Sequence, residues 1–201
     1  LNLIFMNEID KILSRPTNKL APDKGRLLVS EPFLRDMFFK RSVILLADYN
    51  TDGSFGLIIN KPIEFRFNQV VEGFPEFEAP IYMGGPVNSE SIYFIHTVGD
   101  LIQNSYEIMH GLYWGGDIED VKILIENKTI DKNQIKFFLG YAGWSPNQLE
   151  EELERKSWVI THTRPSEIMF KQSQTFWKEI VESMGKDFEI WTRFPVDPAL
   201  N

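Results

Sequence analysis

The chain has 201 residues, of which 43% are hydrophobic and 25% charged, as in a folded globular protein of one domain. Its net charge of −8 disfavours direct binding of nucleic acid, because its densest basic spots are only the pairs Lys40-Arg41 and Arg155-Lys156. It contains no Cys, which excludes disulfides, thiolate metal sites and cysteine nucleophiles, and no apolar run is long enough for a membrane span. We therefore expect a cytoplasmic protein with no membrane partner.

Residues 1–24 are expected to form an extension with a short helix, from the spacing of Ile9, Ile12 and Leu13, ahead of a domain spanning 25–201. Because the first residue is Leu, Met6 is a candidate start of translation. Gly25 then opens an apolar strand, and residues 32–41 (PFLRDMFFKR) predict a short helix or a turn.

A β-hairpin is the clearest local prediction. The segments SVILLA (42–47) and FGLIIN (55–60) are apolar, and Asp52-Gly53 between them is typical of a hairpin turn. After it we expect a short helix around 67–71, a strand at 81–87 that runs into a Gly-Gly-Pro turn, and single strands at 91–97 and 105–115.

The remaining chain is predicted to contain three helices and three strands. One helix is capped by Asp117 and ends near Asn127, one follows Ser145, and one carries the apolar stripe of Trp177, Ile180, Val181 and Met184, closed by Gly185. Strands are expected at 135–143, 158–161 and 188–194. Hairpins mixed with helices, without a repeat or linker, indicate an α+β domain.

The stretch FFLGYAGWSPNQLEEEL begins at Phe137 and holds two glycines, four aromatic residues and an acidic helix. Ser145 and Gln148 have the spacing of a capping box, with the serine as N-cap. Because the following residues are acidic, a phosphate site at this helix start is disfavoured. Tyr141 and Trp144 are either core rings or the lining of a cleft, and we retain both as candidates for binding.

Two further motifs are candidates for chemistry, a glycine pair and the histidines. Gly84 and Gly85 precede Pro86 and predict a tight turn, with an anion-binding nest of amides as the alternative. The three histidines lack metal-ligand spacing, so we predict neither a metal nor a cofactor. His96 lies in an apolar strand, where a buried, hydrogen-bonded histidine is the expected outcome.

The best polar cluster combines Arg41 and Ser42 with Asn60 and Lys61. These residues flank the hairpin strands at opposite ends, and antiparallel pairing brings such ends together. We expect a surface ion-pair rim there. The alternative adds His96 and makes the group the site of a hydrolase-type enzyme.

Five segments in order resemble the YqgE/AlgH family of bacterial proteins: PFLRDMFFKRSVILL, FGLIINKP, MGGPV, the strand Phe94–His96 and LGYAGWSPNQLEEEL. The resemblance covers about residues 25–195. It implies a single α+β domain whose mixed sheet is bifurcated or partly barrel-like and surrounded by helices. The family pattern falls on Arg41, Ser42, Asn60, Lys61, Pro62, Gly84, Gly85, His96, Gly140, Tyr141, Gly143, Trp144, Gln148 and Glu150. The chain departs from the pattern at GLYWGGDIEDVKIL (111–124) and in its longer N-terminal extension.

The resemblance also implies a bacterial cytoplasmic protein of a family often labelled as transcriptional regulators, without an agreed mechanism. Since the sequence has no complete catalytic constellation, we predict a non-enzymatic regulatory or binding protein that acts through an unknown protein partner or small ligand. The predicted ligand or partner site comprises Arg41, Ser42, Asn60, Lys61, Gly84, Gly85, His96, Tyr141 and Trp144. The alternatives are the hydrolase-type enzyme and a direct DNA-binding regulator, which the acidic charge and the lack of a helix-turn-helix pattern disfavour.

Overall fold

The computed structural model describes residue 16, residues 20–170 and residues 175–195. Ten strands lie in these ranges: β1 (Leu27–Ser30), β2 (Val43–Asn50), β3 (Gly53–Ile58), β4 (Pro62–Arg66), β5 (Pro80–Met83), β6 (Val87–His96), β7 (Tyr106–Met109), β8 (Leu112–Trp114), β9 (Ile135–Trp144) and β10 (Trp158–Thr161). The same ranges hold six α-helices: α1 (Phe67–Val70), α2 (Ile118–Glu126), α3 (Gln148–Glu154), α4 (Pro165–Phe170), α5 (Phe176–Ser183) and α6 (Lys186–Thr192). The helix predicted around Ile9 lies outside the described residues.

The strands form one open, mixed sheet in the order β10-β1-β2-β3-β9-β6-β8-β7. The long strand β9 splits it. Its C-terminal half pairs antiparallel with β3, where Phe55 faces Gly143, and its N-terminal half pairs parallel with β5, where Tyr82 faces Phe138. β4 then pairs with β5. The expected α+β domain with a mixed, bifurcated sheet is therefore confirmed, and the sheet is not closed into a barrel.

A glycine bend inside β9 lets the strand serve both branches. Gly140 has φ +65°, and a Cβ there would lie 2.4 Å from the carbonyl oxygen of Gly85. The bend shifts the alternation of side chains, so that Phe138 and Tyr141, three residues apart, join the same core cluster. The alternation of side chains resumes beyond the bend, with Ala142 and Trp144 on the opposite face of the sheet from Tyr141.

Both faces of the sheet are covered, which explains why the central strands are apolar runs rather than alternating patterns. On one face, the helices α4 to α6 pack Ile168, Trp177 and Trp191 against the inner strands. On the other, α1 and α2 cover the half of the sheet around Phe137, and α3 covers the half around Ile44. No helix of the described ranges is long and apolar enough to cross a membrane.

Several local predictions are confirmed: the β2–β3 hairpin, the short helix α1, and the start of α2, where Asp117 accepts the amide of Glu119 at 2.9 Å. Others are wrong. The segment 105–115 is a hairpin of β7 and β8, because Gly111, at φ +78°, turns the chain back. The helix α4 was not anticipated.

The strand predicted at 188–194 is also wrong, because Lys186–Thr192 form the helix α6. Phe188 and Trp191 are both buried and three residues apart, which is a helical spacing that aims both rings at the core. Trp191 stacks parallel to Trp177 of α5, with ring centroids 6.5 Å apart.

The capping prediction for Ser145 fails in part. The helix α3 begins at Gln148, and the residue before it, Asn147, has φ +65°. The Gln148 side chain still accepts the amide of Ser145 at 3.0 Å, as a capping box requires. The serine therefore opens a turn ahead of the helix rather than capping it.

Candidate functional site

The structure brings the polar cluster together around Asn60, which is buried. Its side-chain oxygen accepts the amide of Val43 at 2.9 Å, and its side-chain nitrogen donates to the carbonyl of Arg41 at 2.9 Å. These two bonds extend the β2–β3 pairing past the last backbone pair. Both polar atoms of the amide are thereby used within the fold.

The other three members of the cluster bind backbone as well. Lys61 donates its ammonium to the carbonyl of Phe38 at 2.5 Å, and the Ser42 hydroxyl donates to that of Phe39 at 2.5 Å. Arg41 donates to the carbonyl of Phe194. Its guanidinium carbon lies 5.0 Å from the centroid of the Trp177 ring, and burial lowers its pKa. The cluster thus holds the segment 31–42 in place.

Gly84 and Gly85 lie where β5 meets β9. The Gly84 amide donates to the carbonyl of Leu139 at 2.8 Å, so it is not available to an anion. A Cβ on Gly84 would stand 2.2 Å from the oxygen of Gly140, and one on Gly85 would stand 2.2 Å from the carbonyl of Tyr141. The two glycines therefore allow a close approach of backbones.

His96 is completely buried at the end of β6. Its Nε2 lies 3.1 Å from the carbonyl of Gly115 and 3.1 Å from the hydroxyl of Ser105. Because the carbonyl can only accept, Nε2 carries the proton, and burial lowers the pKa of the ring despite this bond. Burial thus favours the neutral form of the His96 ring.

The strand topology separates His96 from the polar cluster. His96 lies opposite Ile135 on one side of β9. On the other side of β9, the carbonyl of Lys61 accepts the amide of Met83, which lies opposite Leu139. Four residues of strand amount to about 13 Å. His96 therefore does not share a catalytic geometry with Arg41, Asn60 and Lys61.

Sequence reasoning missed the buried cation Lys136, which is 3% exposed in β9. Its ammonium donates to the carbonyl of Ile168 at 2.6 Å and lies 4.6 Å from the centroid of the Tyr82 ring. Burial lowers the pKa of Lys136 to about 7. A single lysine in an apolar strand gives no warning of this, because its burial depends on helix α4, which is distant in sequence.

Tyr141 and Trp144, the two aromatic candidates of the glycine bend, differ in exposure. Trp144 is buried, and its indole donates to Glu152 at 2.9 Å. Tyr141 is half-buried and packs on Phe55, with ring centroids 5.0 Å apart. Both line a cleft of about 540 Å³ at the tip of the β2–β3 hairpin.

We call this the aromatic cleft. It is lined by Asp48, Asn50, Asp52, Gly53, Ser54, Phe55, Val87, Tyr141, Gly143, Trp144, Ser145 and Pro146. This lining contains two carboxylates and no Lys or Arg. The negative charge of Asp48 and Asp52 therefore meets no compensating cation along the wall of the cleft.

Half-buried rings from four strands support the cleft from one side. Phe55 of β3 contacts Trp114 of β8, with centroids 4.8 Å apart, and Tyr141 of β9 contacts Tyr93 of β6 at 5.3 Å. Tyr106 of β7, which is 62% exposed, stacks on Trp114 at 5.2 Å. The sequence did not reveal this group because its members are up to 86 residues apart and meet only through the sheet order.

A model of the AlgH-like family matches residues 27–189. The UPF0301 protein of Parabacteroides distasonis is 40% identical over 186 residues, which cover 92% of this chain and 94% of the relative. That of Cytophaga hutchinsonii is 40% identical over 179 residues, covering 89% and 98%. The chain therefore belongs to the AlgH-like family, as the sequence motifs predicted.

Solved structures agree with this fold. The solution structure of the AlgH protein from Pseudomonas aeruginosa matches with a TM-score of 0.69 at 25% identity, covering 89% of this chain and 98% of that one. A crystal structure from Corynebacterium diphtheriae matches with a TM-score of 0.71 at 22% identity, covering 89% and 95%. The latter likeness concerns the fold alone.

Proposed function

We propose that this protein is a cytoplasmic, non-enzymatic regulatory binding protein whose aromatic cleft receives an organic cation. The cation is an amine or a guanidinium, carried by a small molecule or by a side chain of a protein partner. The observation that carries the proposal is the pairing of two carboxylates, Asp48 and Asp52, with the rings of Phe55 and Tyr141 in one cleft without a lining cation.

The physical reason is the charge distribution of the wall. An aromatic face attracts a cation within about 6 Å of its centroid, and the attraction grows when water is excluded. Carboxylates add a charge-assisted hydrogen bond that a neutral ligand cannot use. A phosphate or carboxylate ligand would meet only repulsion from Asp48 and Asp52, which fits the acidic balance of the whole chain.

The cleft also suits a binding role better than a catalytic one. Its lining holds no His, Lys or Cys, so it offers neither a nucleophilic amine or thiol nor an imidazole base. The predicted hydrolase-type site is also disfavoured as a catalytic centre. His96 lies apart from the polar cluster, and each member of that cluster is bound to backbone. Neither observation favours hydrolysis.

The test is a titration of the purified protein with defined probes, followed by intrinsic tryptophan fluorescence. We expect arginine amide, a trimethylammonium compound and an arginine-containing tripeptide to give saturable changes, and inorganic phosphate to give none. A tighter response to the tripeptide than to the free cations assigns the site to a protein side chain. The reverse order assigns it to a small molecule.

Matched variants connect any response to the cleft. Asp52→Asn removes one lining charge and should weaken cation binding, by about tenfold for a loss of 1.4 kcal/mol. Asp100→Asn removes an exposed charge elsewhere and should leave binding unchanged. The proposal is wrong if no cation saturates, or if the two variants behave alike.

A further inference from the structure

A second surface lies at the opposite end of β2 from the aromatic cleft, about 20 Å away along the strand. We call residues 32–40 the Met37 loop. It exposes three large apolar side chains: Met37 is 88% exposed, Phe33 49% and Phe38 42%. Met37 is more exposed than any other large hydrophobic side chain of the described ranges. Clustered exposure of this kind marks interaction surfaces.

The backbone of the loop is nevertheless fixed. The Asp36 carboxylate accepts the amide of Phe38 at 2.8 Å, and Lys61 binds the Phe38 carbonyl from the other side. The Phe39 ring packs edge-on against Trp158 in the core, with centroids 5.6 Å apart. Because the loop is held by these contacts, binding through it would order few additional groups, which favours affinity.

The loop also forms a groove of about 500 Å³, lined by Pro32, Phe33, Leu34, Arg35, Met37 and Lys40. The two cations of this lining, Arg35 and Lys40, have no side-chain hydrogen bond or ion pair within the described part of the chain. The single carboxylate of the loop, Asp36, is occupied with backbone amides. The groove is thus apolar and positively charged on a protein whose net charge is −8.

We infer that the Met37 loop docks an acidic, amphipathic segment of a partner protein. Apolar side chains of the segment fill the groove between Phe33 and Met37, and its carboxylates pair with Arg35 and Lys40. The charge of the groove selects the partner. The net negative charge of the protein repels an acidic segment, so the positively charged Met37 loop is the favourable place for such a segment to bind.

A protein segment fits the surface better than an anionic bilayer does. The groove offers concave walls that suit the side chains of a protein segment, and the net charge of −8 repels an anionic membrane. The Met37 loop differs from the aromatic cleft in charge and in position. The failure of one proposal therefore leaves the other untouched.

Site-specific photocrosslinking tests the inference. The full chain carrying Met37→p-benzoylphenylalanine is irradiated in bacterial cells, and the same residue is placed at Ile123, which is 52% exposed on α2, as the control. We expect an adduct at position 37 that is absent at position 123. Mass spectrometry should place it in a segment with net negative charge and apolar residues.

The purified segment is then titrated with the unmodified chain by calorimetry. Arg35→Glu together with Lys40→Glu should weaken binding at least about tenfold while circular dichroism stays unchanged. If the double variant does not fold, Arg35→Glu alone is titrated in its place and should also weaken binding. The inference is overturned if no adduct is specific to position 37. It is equally overturned if the adduct is a lipid, a second copy of this chain or a segment without acidic charge, or if charge reversal leaves binding unaltered.

Discussion

Trp144 and Trp158 donate their indole N–H groups to the same carboxylate oxygen of Glu152, at 2.9 and 2.7 Å. Both indoles are nearly fully buried, and their rings meet edge-on with centroids 6.2 Å apart. The other oxygen of Glu152 accepts the side-chain amide of Gln148 at 3.0 Å. The acidic helix α3 is therefore fastened to β9 and β10 by one of its own carboxylates.

Glu152→Ala should lower the free energy of unfolding by about 2–4 kcal/mol, since it leaves two buried indole donors without an acceptor. Urea unfolding followed by tryptophan fluorescence measures the loss. Glu154→Ala, at an exposed position of the same helix, is the matched control and should stay within about 0.5 kcal/mol of the wild type. Equal losses in the two variants would mean that the shared acceptor contributes nothing.

This bond shows where sequence reasoning ends. The turn at Asp52-Gly53 and the cap at Asp117 are local signals, and each predicted its element. The four carboxylates of α3 predicted only an acidic helix, because nothing local distinguishes Glu152 from Glu154. The distinction arises only when β10 places Trp158 beside β9 residue Trp144, through the packing of α3 on the sheet.

In the candidate site, too, local sequence signals predicted some residues, and long-range pairing brings in the others. Tyr141 and Trp144 were predicted as possible cleft residues from the glycine bend, and both line the aromatic cleft. Asp48 and Phe55 were not predicted to line a cleft, because they belong to a hairpin whose tip meets β9 only through long-range pairing. The residues of the polar cluster lie together around Asn60, since hairpin geometry alone brings strand ends together. The expected surface ion-pair rim is wrong, because Ser42 and Asn60 are buried and bond to backbone groups.

Gly84→Ala should destabilise the protein by about 3 kcal/mol, because the new Cβ would stand 2.2 Å from the Gly140 oxygen, an atom of rigid backbone. Gly111→Ala is the control. Gly111 has φ +78° and nothing within 4 Å of an added Cβ, so only backbone strain of about 1 kcal/mol applies. Thermal and urea unfolding compare the two. A loss at Gly84 no larger than at Gly111 would contradict the close approach of β5 and β9.

The buried Lys136 predicts a pH dependence of stability. Its folded pKa of about 7 lies below the ordinary value near 10.4 of an unfolded chain. Between these values the unfolded chain holds a proton that the folded chain does not, so raising the pH favours folding. Below about pH 7 both states are protonated, and the burial of the charge opposes folding in full.

Lys136→Met removes this dependence. The stability of the wild type relative to Lys136→Met should therefore rise from pH 7 to pH 10, by at most about 1.4 kcal/mol per pH unit, and should be flat below pH 7. Urea unfolding at each pH measures the difference, and titration of all other groups cancels between the two proteins. Lys132→Met removes an equal charge at an exposed position and should give a flat difference throughout. A flat difference for Lys136→Met as well would place its pKa at the ordinary value and its ammonium in contact with water.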